Sequence, residues 1–423
     1  MMTSQIKWNE FHKKSLQEKI DFLKKNTHLT KEEFTLLENA LSFETANNMI
    51  ENAIGTFQLP LGIATNFKIN GIERLIPFVI EEPSVVAAAS KAAEITLPQG
   101  FTASTDEPIM IGQVQLVNVP DAKKAIKAIE ASKKKLIDSI NDPSSTIFKQ
   151  GGGAKNFEAK IIQTTRGECV CVYLEVNVQD AMGANTVNSM CEKLAPLLEE
   201  LTGGEARLRI LSNLAVKRLA RAKAVWTKDN LEKSFKGEFT GEEIIERFLD
   251  CYAFAEADPY RAVTHNKGIM NGIDAVVIAT GNDFRAIEAG AHAFASLTGR
   301  YKPLTKYYKN KNGDLVGEIE LPLALGIVGG ATKTHPLAQM SLKLLGVKTA
   351  KELAEIIACV GLAQNFAAVR ALSTEGINRG HMRLHANNIA VMAGAKGEQI
   401  RKIAEKMYEE KNVKLERAKE LMK

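Results

Sequence analysis

Lys267 and Asp283 stand on either side of a short apolar run, residues 275–279, in a stretch crowded with glycine and asparagine. A lysine flanked by Asn266, Gly268 and Asn271 suits an oxyanion stabiliser or a Schiff-base nucleophile; the plain alternative is a surface ion pair. The apolar run reads as a buried strand. Polar turn residues pressed against such a strand suggest a shaped site rather than an ordinary loop.

Three further groups carry candidate chemistry. Glu81-Glu82-Pro83-Ser84 places two carboxylates before a helix of small apolar residues that the spacing starts at Pro83 and carries to about Glu94. A carboxylate facing that helix would favour its protonated form and could donate a proton, although acids at a helix start also have a purely structural use. His381 and His385 lie four apart in Gly380-His381-Met382-Arg383-Leu384-His385, open to a metal pair, a general acid or two solvated residues. Asp180-Ala181-Met182-Gly183-Ala184-Asn185 opens a long helix after a strand, with Asp180 as expected N-cap and Gly183 able to admit a backbone or a phosphate. A capped helix with a packing glycine is the alternative there.

The bulk properties narrow the class. The chain has 423 residues, 45% hydrophobic and 25% charged, which suggests a globular protein of two or three domains. Its five cysteines form no CxxC pair and read as reduced core thiols, so neither a disulfide framework nor a metal site is expected. The first residues lack the apolar core of a secretory signal, and no run reaches the roughly 18 apolar residues of a membrane span. A cytoplasmic protein without membrane contact is the expectation. A net charge of +5 with 6% aromatics argues against nucleic acid and suits a phosphorylated small ligand. The chain contains no GxGxxG fingerprint, Walker A loop, GxSxG elbow or HExxH pair.

The elements that must position these groups follow from periodicity and turn chemistry. Residues from about 4 to 58 read as helices, with a capping box at Thr30-Lys31-Glu32-Glu33. Residues 110–215 run strand, helix, strand, strand, helix, strand, the order of a ferredoxin-like split βαβ module. Around it the pattern is mainly helical, with a hairpin over 307–321 turned by Asn312-Gly313, and long helices follow Pro336. The fold class expected is α+β: a mainly helical large domain (1–109 with 216–376), an inserted ferredoxin-like small domain (110–215) and a mobile helical C-terminal flap (377–423).

Taken together the strings ENAIG (51–55), EEPSVVAAAS (81–90), DAMGANTVN (180–188), THNKGIMNG (264–272), ATGND (279–283), GIVGGATKTHP (326–336), GLAQNFAA (361–368) and GHMRLHA (380–386) resemble class II hydroxymethylglutaryl-CoA reductase over essentially the whole chain. The resemblance implies reduction of 3-hydroxy-3-methylglutaryl-CoA to mevalonate and CoA by two hydride transfers from NAD(P)H, or the reverse. It implies Glu82, Lys267, Asp283 and His381 as catalytic residues, with Asp283 hydrogen-bonded to both Lys267 and Glu82. Ser84, Arg261 and Asn271, with Gln364 or Asn365 nearby, would hold the substrate. Asp180, Met182, Gly183 and Asn185 would hold the dinucleotide, with Asn213 close and Gly329-Gly330 approaching. In NADH-preferring relatives an acid before the triple glycine, here Gly151-Gly152-Gly153, accepts the ribose 2′-hydroxyl. Asp142 is the candidate, favouring NAD(H) with NADP(H) still open because of Lys149. A homodimer or a higher assembly of dimers with shared active sites is implied. A reductase of another acyl-CoA, or a non-catalytic binder of CoA esters, are the competing readings.

Overall fold

The computed structural model describes residues 11, 14–38, 41–374 and 376–422, with the side chains of 377–384 outside that description. Three short helices come first: α1 (Leu16–Asn26), α2 (Lys31–Thr35) and α3 (Phe43–Met49). Each starts at a hydroxyl cap, Ser15, Thr30 and Ser42, which accepts from a first-turn amide that has no intrahelical partner. At α2 the expected capping box is complete, Glu33 returning a bond to the Thr30 amide at 2.6 Å.

A hairpin, β1 (Leu61–Ile69) and β2 (Ile72–Val79), leads into α4 (Val85–Ile95) and β3 (Phe101–Thr105). The helix begins two residues later than the sequence suggests. Ser84 takes a left-handed φ of 76° after Pro83, and helical geometry starts only at Val85. A residue before proline is pushed toward extended backbone, so Glu82-Pro83-Ser84 forms a turn in place of a first helical turn.

The expected split module follows: β4 (Ile109–Val117), α5 (Ala122–Ala131), α6 (Lys133–Ile140), α7 (Thr146–Lys149), β5 (Gly153–Thr164), β6 (Gly167–Asn177), α8 (Ala184–Thr202) and β7 (Glu205–Ser212). Its strands lie in the order β5-β6-β4-β7, every neighbour antiparallel. β6 therefore sits between β4 and β5, which is the split βαβ arrangement. Val170, Val172, Leu174 and Val176 on one face of β6 are fully buried, and Cys169 and Cys171 share the other face as alternation requires. All five cysteines are free thiols.

The chain then returns with β8 (Leu219–Trp226), α9 (Lys228–Ser234), α10 (Gly241–Ala257), α11 (Pro259–Ala279), α12 (Phe284–Ala295), β9 (Thr305–Lys309) and β10 (Leu315–Pro322). These strands complete a six-stranded sheet, β2-β1-β3-β8-β10-β9, and the expected Asn-Gly hairpin joins β9 to β10. Residues 275–279, expected as a strand, are instead the last turns of α11, a 21-residue helix that Asp258 caps and Pro259 starts. An apolar run of five cannot separate a buried strand from a buried helical turn; here the length of the whole element decides. The run is apolar throughout because α11 is enclosed by β2, α4, α10, α12 and α15.

α13 (Ala331–Thr334), α14 (Pro336–Leu345) and α15 (Ala350–Ser373) follow. α15 is the spine of the core: Phe366 stacks on Trp226 with ring centroids 3.9 Å apart, and Trp226 donates to the Ala92 carbonyl. Its apolar run is interrupted by Glu355, Gln364 and Asn365. By length and composition α15 could cross a bilayer, but 72% of its most apolar window is buried inside the protein, as in a core helix. One apolar core runs through both sheets. The last helices, α16 (Ile377–Met392), α17 (Glu398–Glu409) and α18 (Leu415–Leu421), close over a separate small core of Ala386, Ile389, Ala390, Ile403, Ala404, Met407 and Ala418.

Candidate functional site

The turn after β2 and the middle of α11 meet, although they are 185 residues apart in the chain. Lys267 Nζ lies 3.1 Å from Glu82 Oε2. The two side chains remain 61% and 34% exposed, and an exposed pair of this kind adds only about 0–1 kcal/mol to stability. The contact is therefore of little value to the fold and of more value as a juxtaposed ammonium and carboxyl group. Asn271, one turn along α11, shares the Lys267 face, and Ser84 follows Glu82 in the strained turn.

The back of that stretch of α11 is anchored by polar groups that reading it as turn residues before a strand concealed. Asn266 accepts from the Leu304 amide and donates to the Lys302 carbonyl, each at 2.9 Å. His265, 1% exposed, meets Thr305 Oγ1 at 2.6 Å, and burial pushes its pKa down to about 3, so the ring is neutral. Asn365 donates to the His265 carbonyl and accepts from the Thr305 and Tyr307 hydroxyls. At 1% exposure Asn365 thus lies behind α11 and holds it, a place different from the substrate contact expected. Gln364 is also buried. Its Oε1 has no partner and its Cβ crowds Gly272, where any larger residue would come within 2.9 Å. Arg261, six residues before Lys267, projects about 120° away from it round the helix. It acts there on His265 and Cys251, and the structure does not bring it onto the Lys267 face.

Asp283 is placed differently from expectation. It is the N-cap of α12, accepting from the Arg285 and Ala286 amides at 3.0 and 3.2 Å and from the Arg285 guanidinium at 2.9 and 3.0 Å. None of these partners is Lys267 or Glu82. The difference follows from the helix at 275–279: the chain must turn at 280–282 before α12, which aims the carboxylate at the new helix's free amides. Burial alone would raise its pKa, but the Arg285 bond, the capping amides and the Arg285 charge outweigh it and hold the carboxyl below the usual aspartate range. His381 lies on α16, but its side chain belongs to the residues outside the description; His385 is exposed. Among the described residues no cluster could hold a metal ion.

A second acidic group lies further along the Lys267 face of α11. Asp274 adjoins Glu288 of α12, which bonds His292 Nε2 at 2.7 Å, and His292 Nδ1 meets the Tyr301 hydroxyl at 2.7 Å. Burial first, and then Glu288, push Asp274 up to about 8. Its signal in the sequence, an acid at helical spacing from Lys267 and Asn271, becomes visible once the stretch is read as a helix.

The turn from β6 to α8 forms the other part of the site. Gly183 takes φ 104° and its missing Cβ would lie 2.6 Å from Val178. Being the N-cap, it leaves the first-turn amides of the 19-residue α8 without a side-chain acceptor, an end suited to an anion. Asp180, expected as that cap, instead accepts from the Ala350 amide of α15 at 2.8 Å, while its own carbonyl accepts from Ile327. Capping needs a side chain one residue before the helix, and the helix starts four residues later than Asp180. Met182 packs against Gly326, and Asn185 is exposed in the first turn of α8. Gly329 and Gly330 face open space, and Asn213 is exposed with its carbonyl against Gly290. The Gly326 amide donates to Asn282 at 2.8 Å, so this turn and the one that presents Asp283 are tied together. Asp142 is locked by Ser144, whose hydroxyl and amide hold it below the usual aspartate range with help from the charges of Lys193 and Lys149.

A family model described as hydroxymethylglutaryl-coenzyme A reductase matches residues 15–386. The chain is 52% identical over 414 residues to 3-hydroxy-3-methylglutaryl-coenzyme A reductase of Archaeoglobus fulgidus, covering 97% of this chain and 93% of that protein. It also resembles a solved structure of the Streptococcus pneumoniae enzyme, with TM-score 0.84, 42% identity and 99% of both chains covered. A class II S. pneumoniae structure bound to NADPH in open conformations matches with TM-score 0.83 and 44% identity, covering 87% of this chain and all of that one.

Proposed function

The chain belongs to the hydroxymethylglutaryl-CoA reductase family, and from that premise we propose that it interconverts 3-hydroxy-3-methylglutaryl-CoA and mevalonate plus CoA through two hydride transfers with NAD(P)H. The contact that carries this reading is Lys267 Nζ at 3.1 Å from Glu82 Oε2 on an exposed surface, where stability gives little reason for it.

Hydride delivery to the thioester carbonyl is the chemistry the dinucleotide supplies. The chain's residues manage charge and protons. Lys267 stabilises the negative charge that builds on the carbonyl oxygen. When the hemithioacetal collapses, the carbon–sulfur bond breaks and the thiolate takes a proton, a role we assign to His381 on α16. Glu82 then supplies the proton to the aldehyde oxygen as the second hydride arrives. Asp283, kept ionised by Arg285 and the α12 amides, supplies a fixed negative charge. We assign it to act on Lys267 and Glu82 through this charge, without a direct hydrogen bond to either.

We assign the glycine-capped start of α8, with Asp180, Met182, Gly183 and Asn185, to the dinucleotide, together with Asn213 and with Gly329-Gly330, which follow the segment seated against Met182. We assign Ser84 and Asn271, beside Glu82 and Lys267, to the acyl group, and give Arg261, Gln364 and Asn365, which lie off that face, the part of holding α11 in place behind it. Asp142 is proposed to favour NADH, and the ratio of kcat/KM for NADH and NADPH in wild type and Asp142→Ala tests it. A drop in that ratio supports the assignment; no change removes it. The homodimer is supported by the segment before β1, where Ile54 and Phe57 are 99% and 91% exposed, too apolar to remain in water. The division into a large domain, a small domain at 110–215 and a C-terminal flap is likewise our proposal, supported by the two sheets and the separate core of α16–α18.

Thioester-dependent NAD(P)H oxidation across a panel of acyl-CoAs tests the whole reading. Turnover restricted to 3-hydroxy-3-methylglutaryl-CoA supports it. Turnover of another thioester instead, or binding without oxidation, would replace it with a different reductase or a CoA-ester binder.

A further inference from the structure

Arg218 is the most deeply buried cation in the described structure, 6% exposed, and it lies just before β8 between the two parts of the dinucleotide wall. Its guanidinium donates to the carbonyls of Ala181 and Met182 at 3.1 and 3.2 Å, and from another nitrogen to the carbonyl of Leu325. Its own carbonyl accepts from the Leu323 amide. A single side chain therefore bonds the turn that precedes α8 and the segment that runs into Gly329-Gly330.

Other contacts close the same seam. The Asp180 carbonyl accepts from Ile327, and a Cβ on Gly326 would come within 2.5 Å of the Met182 amide nitrogen. The two segments meet with no room for a methyl group. Burial pushes the Arg218 pKa down to about 10, opposed by the charge of Asp180, and the group stays charged at neutral pH.

Stability alone does not explain a guanidinium here. Desolvating a charge costs several kcal/mol, and an apolar side chain of similar volume in such a place is often neutral or stabilising. What an apolar residue cannot do is hold carbonyls of two segments in one plane at fixed spacing, for which a rigid fork of donors is suited. The position was not singled out by sequence because nothing local distinguishes it from the neighbouring Lys217 and Arg221.

We propose that Arg218 is a positioning residue for the nicotinamide dinucleotide, locking the 180–183 turn to the 323–327 segment so that the α8 start and Gly329-Gly330 face the ligand as one rigid wall. The inference rests on the placement of the dinucleotide given above. Arg218 need not touch the ligand; it fixes the distance between the groups that do.

The test uses the full-length protein with Arg218→Lys, Arg218→Met and Gly326→Ala, the last forcing the seam apart without altering the arginine. Dissociation constants for NADH and NADPH are measured by fluorescence titration, alongside kcat and the KM for each substrate. Arg218→Met should weaken dinucleotide binding by about tenfold or more, which is about 1.4 kcal/mol. Arg218→Lys, able to serve only one segment, should fall between it and wild type. Gly326→Ala should shift the dinucleotide constant in the same direction, with KM for the acyl-CoA within about twofold of wild type in all three. Unchanged dinucleotide binding with a lowered melting temperature would reduce Arg218 to a structural role and overturn the proposal. If neither Arg218 variant folds, Gly326→Ala decides alone, and unchanged binding there overturns it too. Wild-type protein that binds neither NADH nor NADPH would defeat the dinucleotide placement itself, an outcome distinct from either.

Discussion

Replacing Asp274 by asparagine should make the protein more stable at alkaline pH and leave it nearly unchanged in acid. Asp274 lies between α11 and α12 against Glu288, with one oxygen lacking a hydrogen-bond donor, and its pKa is about 8 against an ordinary 3.8. A carboxyl raised on folding binds its proton more tightly in the folded state. Its contribution is therefore fully present below about pH 4 and is lost as pH rises to about 8. Taken at face value, a shift of about four units corresponds to roughly 5–6 kcal/mol. The side chain is only partly enclosed, so solvent screening and local relaxation reduce this to an expected ~2–3 kcal/mol. Glu288 moves the other way, held down first by its bond to His292, so its own contribution is lost only below the usual glutamate range and does not overlap this window. Asparagine keeps the shape, donates to Glu288 and carries no charge. With an unfolding entropy of roughly 0.9 kcal/mol/K for a chain of this length, the variant should melt about 2–3 °C above wild type near pH 9. Near pH 4 the two should coincide. Melting curves across that range check it; a difference that does not grow with pH, or one of opposite sign, refutes the raised pKa of Asp274.

Gly183→Ala forces a left-handed backbone and a contact 2.6 Å from Val178, so dinucleotide affinity should fall by about tenfold or more, at a cost to folding of about 1–3 kcal/mol, read by titration and melting. Asn365→Ala removes bonds to the His265 carbonyl and to two buried hydroxyls; about 2–4 kcal/mol of stability should be lost, with kcat reduced and the KM for acyl-CoA little changed. A large rise in that KM with an unaltered melting point would instead place Asn365 against the substrate.

The features legible in the sequence are those written in local chemistry. The capping box at Thr30 and Glu33, the Asn-Gly hairpin and the order of the split module each depend on residues within a turn or on the alternation of one strand. The site is assembled by contacts at long sequence separation, which local patterns do not encode. Glu82 meets Lys267 across 185 residues, Asp180 meets Ala350 across 170, and Asn365 meets His265 across 100. The misread segment, 275–279, failed for a related reason: α11 is enclosed on nearly all sides there, so the amphipathic stripe that marks a helix is absent. That error concealed the His265–Asn266 anchor, the face shared by Lys267, Asn271 and Asp274, and the capping position of Asp283. Family resemblance named the residues to which the chemistry is assigned in the proposal. It did not find Arg218 or Asp274, whose partners are distant in the sequence.

Lys267 is proposed to act on the reacting carbonyl and to do nothing comparable for the fold. Steady-state turnover of 3-hydroxy-3-methylglutaryl-CoA by Lys267→Met, measured beside its melting temperature and dinucleotide affinity, tests this most directly. Loss of a single oxyanion-stabilising charge should lower kcat by about 10²–10³-fold or more. Because the Glu82 pair is exposed, the melting temperature should move by no more than about 1 °C and the dinucleotide affinity should stay as in wild type. Turnover within about tenfold of wild type would contradict the assignment.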